Sequence, residues 1–569
     1  MQVSAGSAIY AIAQDATFGQ APAGGILPPV PPSAPVPLPA TLPRLLADAI
    51  RVNGTAPFLG VRTSTTREQS LTYVEFGVAV DNAAARLAGA VTPGSTVIVQ
   101  GAPGPGFAAA LFAAARAGVV LVPLDARMTA DTVDRIAAQV APAAILIGTG
   151  ATLEPPTIPR LASLPVLDLD DLTDPPTAAD VAALAARVPT PPDQPIEVLF
   201  TSGSTGNPKG VTVTQAMLLA STERCLRTIP AGGDRFVSIL PLSHIMEQVA
   251  GLIYAAAAGA ETEYITTLRP DLIAAAIKGH RATALVVVPQ VLELLFSAIR
   301  READKSGRGS TFRRALRVAP YLPVSMRRRL FASVHEALGG ELRLVLCSAA
   351  YLPAWLQHNW EALGVAVVQG YGSTEAGLVA TNFRGQTPHD RVGWVLPPLE
   401  IRVEGDGEVV ARGPSVFAGY WNNPEATAEA FTADGWYRTG DYGEIDAAGA
   451  LRLIGRTRSL IALPNGMNVH PEDLEAALAT EGLAEPVVYE STPGTIAFAY
   501  RPGVAFSEDR PDEATALKGA LRAANAKLAA HQRLAGMAPF PDPDYPRTHT
   551  RKVQRSAVAA RMAGIPITR

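Results

Sequence analysis

Strand-length apolar runs alternate with helix-like stretches through the first half of the chain, and this alternation constrains the fold most. Ser95–Gln100 is a β-branched run, followed by the turn Gly101-Ala-Pro-Gly104-Pro-Gly106 and the Ala-rich, helix-like stretch Phe107–Ala117. Strand, glycine turn and helix make a βα unit. Val119–Leu124, Ala144–Ile147 and Val166–Leu169 read as further strands between helices. Such a chain is expected to build a mostly parallel sheet covered on both faces. The glycine turn does not have dinucleotide-loop spacing and carries two prolines, Pro103 and Pro105, so it is read as structural. Beyond Gly455 the pattern changes. A turn at Leu463–Gly466, a helix from Pro471, strands at Pro486–Tyr489 and Thr495–Tyr500 and a helix over Glu513–Gln532 read as a smaller α+β segment. The expected fold class is mixed α/β, with a Pro/Ala-rich tail over 1–41, a large domain of βα-layered sheets over 42–455 and a small domain over 456–569.

One loop narrows the chemistry. Apolar residues from Ile196 to Phe200 read as a buried strand running into Thr201-Ser-Gly-Ser-Thr-Gly-Asn-Pro-Lys-Gly210. Gly203, Gly206 and Gly210 let backbone approach an anion closely. Thr201, Ser202, Ser204 and Thr205 supply donors, and Lys209 supplies a cation. The loop suits phosphate but is not a Walker A loop, because two residues separate Gly203 from Gly206 and Asn207-Pro208 precede Lys209. A plain surface linker would not be so strictly composed between apolar strands.

A chain of 569 residues exceeds one ordinary core. With 48% hydrophobic and 18% charged residues the composition is globular. A net charge of −4 provides no global basic field for nucleic acid. Cys225 and Cys347 are the only cysteines, which fits a reducing, cytoplasmic location better than a disulfide scaffold. The histidines show no ligand spacing with them, so no structural zinc site is expected. Residues 1–40 lack a basic start and carry Asp15, unlike a secretory signal, and Phe107–Pro123 contains Arg116 and is short for a membrane span. From Arg300 to Arg329 basic residues dominate, with Glu302 and Asp304 the only acids. A solvated helical face is the first reading of that stretch. The second is a surface for anionic lipid or coenzyme, giving weak peripheral membrane contact.

Further motifs follow in order. Pro241-Leu-Ser-His244 ends a strand-like run and opens an apolar helix-like stretch, Ile245–Ala258, and Ser348-Ala-Ala350-Tyr-Leu352 follows another strand-like run. Gly370-Tyr-Gly-Ser-Thr-Glu-Ala-Gly377, Tyr437-Arg-Thr-Gly-Asp441, Gly455-Arg456 and the tail Pro546-Arg-Thr-His-Thr-Arg-Lys-Val-Gln-Arg555 come next. In order and spacing these blocks resemble the adenylate-forming superfamily over roughly 42–569. Pro241–Gln248, Asn465–Glu475 and His549–Arg555 are similar to long-chain fatty acyl-CoA synthetases.

The resemblance implies two reactions: a carboxylic acid and ATP give acyl-AMP and pyrophosphate, then CoA takes the acyl group and AMP leaves. An anion must attack phosphorus among anionic oxygens, so the site needs phosphate donors, a metal-holding carboxylate, a ribose anchor and a movable cation. The loop Thr201–Lys209 is implied for the β- and γ-phosphates, Thr374 for the α-phosphate, and Glu375 with Thr205 for Mg²⁺. Tyr371 is implied as the adenine face, beside the small residues Ser348, Ala349 and Ala350 and within the block that includes Gly370, Gly372 and Ser373. Asp441 would accept from the ribose, with Arg456 beside it. Lys552 would bring its charge to the α-phosphate. His244 would border a medium- to long-chain fatty acyl pocket, Arg458 would be the hinge of a mobile lid, and the Gly466 turn would admit the pantetheine arm. The chain departs from the family's usual pattern at Arg551 for glycine, His549 for proline, Arg458 for Asp or Lys, and Ser348-Ala-Ala350 for Gly-Gly-Ala. A relative that passes its acyl group to a free-standing acyl carrier protein is the alternative reading. A phosphotransferase is disfavoured by the loop pattern. A catalytically silent nucleotide binder is disfavoured because Glu375, Asp441 and Lys552 are all present.

Overall fold

The computed structural model describes residues 37–63, 69–126, 128–201, 208–229, 233–266, 269–382, 389, 391–456, 461–463, 468–506, 512–547 and 553–568. The Pro-rich segment before residue 37, most of the phosphate loop (202–207), the hinge position Arg458, Gly466 and Lys552 lie outside the described residues.

The alternating pattern becomes two sheets. One has six strands in the order Val166–Asp168, Ala144–Ile147, Thr96–Gln100, Val120–Pro123, Pro195–Thr201 and Lys209–Thr214. All neighbours are parallel except the last two, which form an antiparallel hairpin with Thr201 opposite Lys209. The second has nine strands. Its six middle strands, from Ala366–Ser373 through Leu344–Cys347, Ala284–Val287, Arg235–Ser238 and Glu261–Ile265 to Pro57–Arg62, are parallel. Gly377–Thr381 and Gln69–Thr72 pair antiparallel on either side.

Parallel strands are hydrophobic on both faces and need cover. Helix Pro105–Ala117 is buried along almost its whole length, with Arg116 the residue in partial contact with solvent. Its alanines permit close approach to helix Tyr73–Ala90 and to the six-stranded sheet, and a helix apolar all round belongs inside. Helix Tyr73–Ala90 is started by a capping box, with Thr72 and Glu75 bonding reciprocally. Among the described residues no helix is long and apolar enough to cross a membrane.

A four-stranded antiparallel sheet follows, Glu400–Val403, Glu408–Arg412, Tyr437–Ile445 and Leu451–Arg456. Its last pair sets Asp441 directly opposite Arg456. The residues beyond it build cores of their own. One includes Leu474, Leu478, Phe498 and Leu521 and the other Tyr489, Phe540, Val558 and Met562, around the strands Val487–Thr492, Thr495–Tyr500 and Gly536–Pro539. Helix Pro471–Thr480 of this part packs on strand Leu451–Arg456.

Two local expectations differ. The helix-like run Ile245–Ala258 is wound as a π-helix over Glu247–Ile253, with α-helical backbone only at its two ends, Ile245-Met246 and Tyr254–Ala258. Glu247 is fully buried, and its carboxyl lies over Gly251, where an added Cβ would sit 1.7 Å from Oε1. The stretch Glu513–Gln532 is helical to Lys527, followed by a separate 3₁₀ turn at Ala530–Gln532.

Candidate active site

The carboxyl ends of the parallel strands, where ligands enter open α/β sheets, open on a cavity of about 2110 Å³. Every described candidate residue lines it: Thr201, Lys209, His244, Ser348, Ala349, Ala350, Gly370, Tyr371, Gly372, Ser373, Thr374, Glu375, Asp441 and Arg456.

Asp441 and Arg456 meet because their strands set them opposite each other, and Arg456 Nε lies 3.1 Å from Asp441 Oδ1. The carboxylate beside Arg456 raises that guanidinium above its ordinary value. The other carboxylate oxygen accepts from the Tyr371 hydroxyl at 2.6 Å. Burial first, and the Asp441 charge second, push the Tyr371 phenol well above its usual range, so it stays a donor. The Asp441 backbone N–H donates to Thr439 Oγ1, whose hydroxyl donates to Val409 O. Asp441 is thus held in place, and each of its oxygens keeps a lone pair.

Gly372 holds the Tyr371–Glu375 block close to its own return strand: an added Cβ would lie 2.0 Å from the Gly377 carbonyl oxygen. The Ser373 hydroxyl oxygen accepts from Ala376 N at 3.1 Å, tightening the turn that carries Thr374 and Glu375. Ala349, where the family pattern has glycine, has a left-handed φ of 70°, a conformation costing a residue with a Cβ about 1–2 kcal/mol.

Tyr420 was not legible as a site residue. Its hydroxyl is 3.2 Å from Glu375 Oε1, and Lys209 Nζ stands 5.1 Å from its ring centroid. Its backbone bridges Val211 on the exit strand of the phosphate loop, and neighbouring Trp421 N donates to Gly210 O at 2.7 Å. The available signal was the aromatic pair Tyr420-Trp421 after a glycine. The glycine turn Gly101–Gly106 borders the cavity, and its close packing fits the structural reading: an added Cβ on Gly106 would lie 2.1 Å from the Leu169 carbonyl oxygen. Asp125 is likewise new: it lies on the same wall, with Oδ2 3.5 Å from His244 Nε2.

The rest of the wall is largely apolar. Ile229, Leu240, Met246, Val249 and Val291 contribute from helix Gln215–Thr228, the π-helical segment and helix Pro289–Lys305, or the turns beside them. The C-terminal part closes another side with Glu472, Tyr489, Val553 and Arg555. Arg555 is anchored by Glu472 at 3.0 Å and by Glu475. The residues flanking 548–552, Arg547 and Val553, pair as an antiparallel bridge.

The model of the AMP-binding enzyme family matches residues 48–421. A long-chain-fatty-acid–CoA ligase of Mycobacterium tuberculosis, FadD15, is 32% identical over 343 residues, which is 56% of this chain and 56% of that protein. This chain therefore spans about half the length of such curated relatives. A methyl-dioxo-octahydroindenyl-propanoyl:CoA ligase of the same organism is 31% identical over 445 residues, 74% of this chain and 81% of the relative. Among solved structures, ATP-bound MatB from Rhodopseudomonas palustris superposes with a TM-score of 0.71 at 23% identity, covering 92% of this chain and 99% of that one.

Proposed function

The chain belongs to the AMP-binding enzyme family, and on that premise we propose that it activates a medium- to long-chain fatty acid with ATP and transfers the acyl group to CoA. The observation that carries this reading is the single cavity. It brings the ends of a phosphate loop, the Glu375 carboxylate, the tethered Asp441–Arg456 pair and an apolar wall together. Relatives of similar sequence that carry the name of CoA ligases support it.

In this reading Lys209 and the loop hold the β- and γ-phosphates, Thr374 donates to the α-phosphate, and Asp441 accepts from the ribose hydroxyls. The acid's carboxylate oxygen attacks the α-phosphorus as the bond to pyrophosphate breaks, and Lys552 balances the charge there. Glu375 presents a hard carboxylate to the cavity, which suits Mg²⁺, with Thr205 as its second oxygen. The ion would neutralise phosphate oxygens. The thiol of CoA then takes the acyl carbon and AMP departs. Rotation of the small domain about Arg458 would exchange Lys552 for the Gly466 turn between the two steps.

The test is pyrophosphate release across a series of carboxylic acids of increasing length, with and without CoA. Acid-dependent release with acyl-CoA formed only when CoA is present supports the reading. Acyl-AMP that accumulates beside CoA and reacts only with an acyl carrier protein assigns the alternative acceptor. ADP in place of AMP removes both.

A further inference from the structure

Helix Val324–Leu330 has its amphipathicity inverted. Two of its arginines turn inward. Arg327 donates to the carbonyls of Leu322, Pro320 and Glu361 at 2.8–2.9 Å. Arg328 donates to those of Leu342 and Gly340 at 2.7 and 2.9 Å. Its apolar residues turn outward: Val324, Met326 and Leu330 are exposed, Met326 and Leu330 one turn apart on the same face. A helix folding only against its own core in water shows the opposite arrangement.

The turn before it exposes apolar side chains as well. Tyr321 is 87% exposed, set between Pro320 and Pro323, and Val318 beside it is exposed as well. The two Arg327 bonds to Pro320 and Leu322 clamp this turn, so the tyrosine is held outward by structure. Arg314 and Arg317, on helix Gly309–Val318, are exposed one turn apart, away from buried Phe312. Arg329 is exposed as well. No Asp or Glu occurs between Asp304 and Glu336.

We propose that this face, Arg314 to Leu330, docks the protein on an anionic lipid bilayer. Apolar side chains and an amphipathic tyrosine suit the boundary between headgroups and acyl chains. Exposed guanidiniums of one sign suit an anionic plane, and the stretch from 305 to 335 itself carries no carboxylate for such a plane to repel. The inference gives a place and a chemistry to the weak membrane contact expected from the basic stretch. It rests on this surface alone and not on the acyl-transfer reading, since binding is read without turnover.

The experiment is co-sedimentation of the full chain with vesicles of phosphatidylcholine alone or mixed with phosphatidylglycerol, at low and high salt. The protein is expected on the mixed vesicles, with binding reduced by salt. The double variant Arg314→Ala/Arg317→Ala should bind about 30-fold more weakly, since each basic side chain near an anionic surface contributes about five-fold. Tyr321→Ser/Met326→Ser should remove the binding that survives high salt. All four side chains are exposed, so thermal midpoints should stay at the wild-type value. No binding, equal binding to both vesicle types, or variants that bind like the wild type would each overturn the proposal. Concentration-dependent self-association that the Tyr321→Ser/Met326→Ser variant abolishes would assign the face to a second copy of the chain and overturn it as well.

Discussion

Replacing Glu247 by glutamine should change how stability depends on pH. Glu247 is fully buried in the π-helix, with the Ser238 hydroxyl donating to its Oε2. Burial pushes its carboxyl up to about 8 from an ordinary value of 4.5. A folded-state value above the unfolded one favours the native state fully below pH 4.5, where both states hold the proton. As pH rises the unfolded chain ionises first, and the advantage shrinks until the native group itself ionises near pH 8. The loss is about 1.4 kcal/mol per pH unit inside that window. Glutamine carries no titrating proton, so the variant lacks this slope whatever its absolute stability. Unfolding entropy near 2.1 cal/mol/K per residue gives a unit of about 400 residues roughly 0.85 kcal/mol/K. The variant's thermal midpoint should therefore gain on the wild type by about 1.5 °C per pH unit, roughly 5 °C between pH 5 and 8. Scanning both proteins across that range in one buffer series measures it. Midpoint curves that run parallel would refute the reasoning, because the native carboxyl would then be titrating like an exposed one.

Glu375→Gln should lower pyrophosphate release by about 100-fold or more, since an amide is a poorer ligand for a hard cation. Acid binding should change little, and near-normal release at ordinary Mg²⁺ would remove Glu375 from the site. Gly372→Ala should abolish activity and lower the thermal midpoint, because the Cβ would meet backbone oxygen at 2.0 Å, whereas Ser373→Ala should leave the midpoint within a degree or two. An unchanged Gly372→Ala midpoint would show that the turn relaxes freely. Lys552→Ala should block acyl-AMP formation and spare thioester formation from supplied acyl-AMP, with Gly466→Leu doing the reverse. Equal slowing of both half-reactions by both variants would end the idea of a lid with two working faces.

What the sequence made legible was mostly what depends on local pattern. The strands Ala144–Ile147 and Thr495–Tyr500 lie where periodicity and turn residues put them. The candidate residues came from ordered motifs, and the described ones share one cavity. What was not legible depends on tertiary approach. The π-helix carries a buried Glu247 carboxyl set against Ser238 and Gly251, an arrangement that nothing in the periodicity of 245–258 encodes. The glycine turn at 101–106 lacks dinucleotide-loop spacing and carries two prolines, so it is read as structural. Its place on the cavity wall comes from the arrangement of the sheets, since it follows the carboxyl end of strand Thr96–Gln100.

Tyr420 explains why a motif reading finds parts and misses their joint. The phosphate-loop hairpin and the Glu375 turn lie more than 160 residues apart in the chain and on different sheets. Each has its own glycines and hydroxyls, and neither motif specifies a distance to the other. The segment around Tyr420 supplies it. Its backbone pairs with Val211, its hydroxyl reaches Glu375, its ring faces Lys209, and Phe417 N donates to Glu375 O at 2.7 Å. In the proposed reading Lys209 takes phosphate and Glu375 takes a metal, and opposite charges on one wall attract each other. With the ring set against the lysine and the phenol against the carboxylate, each charge has a neighbour that leaves it able to take a ligand. Both charges line the same cavity with Tyr420 in contact with each, the arrangement the proposed reading of a metal-bound polyphosphate calls for.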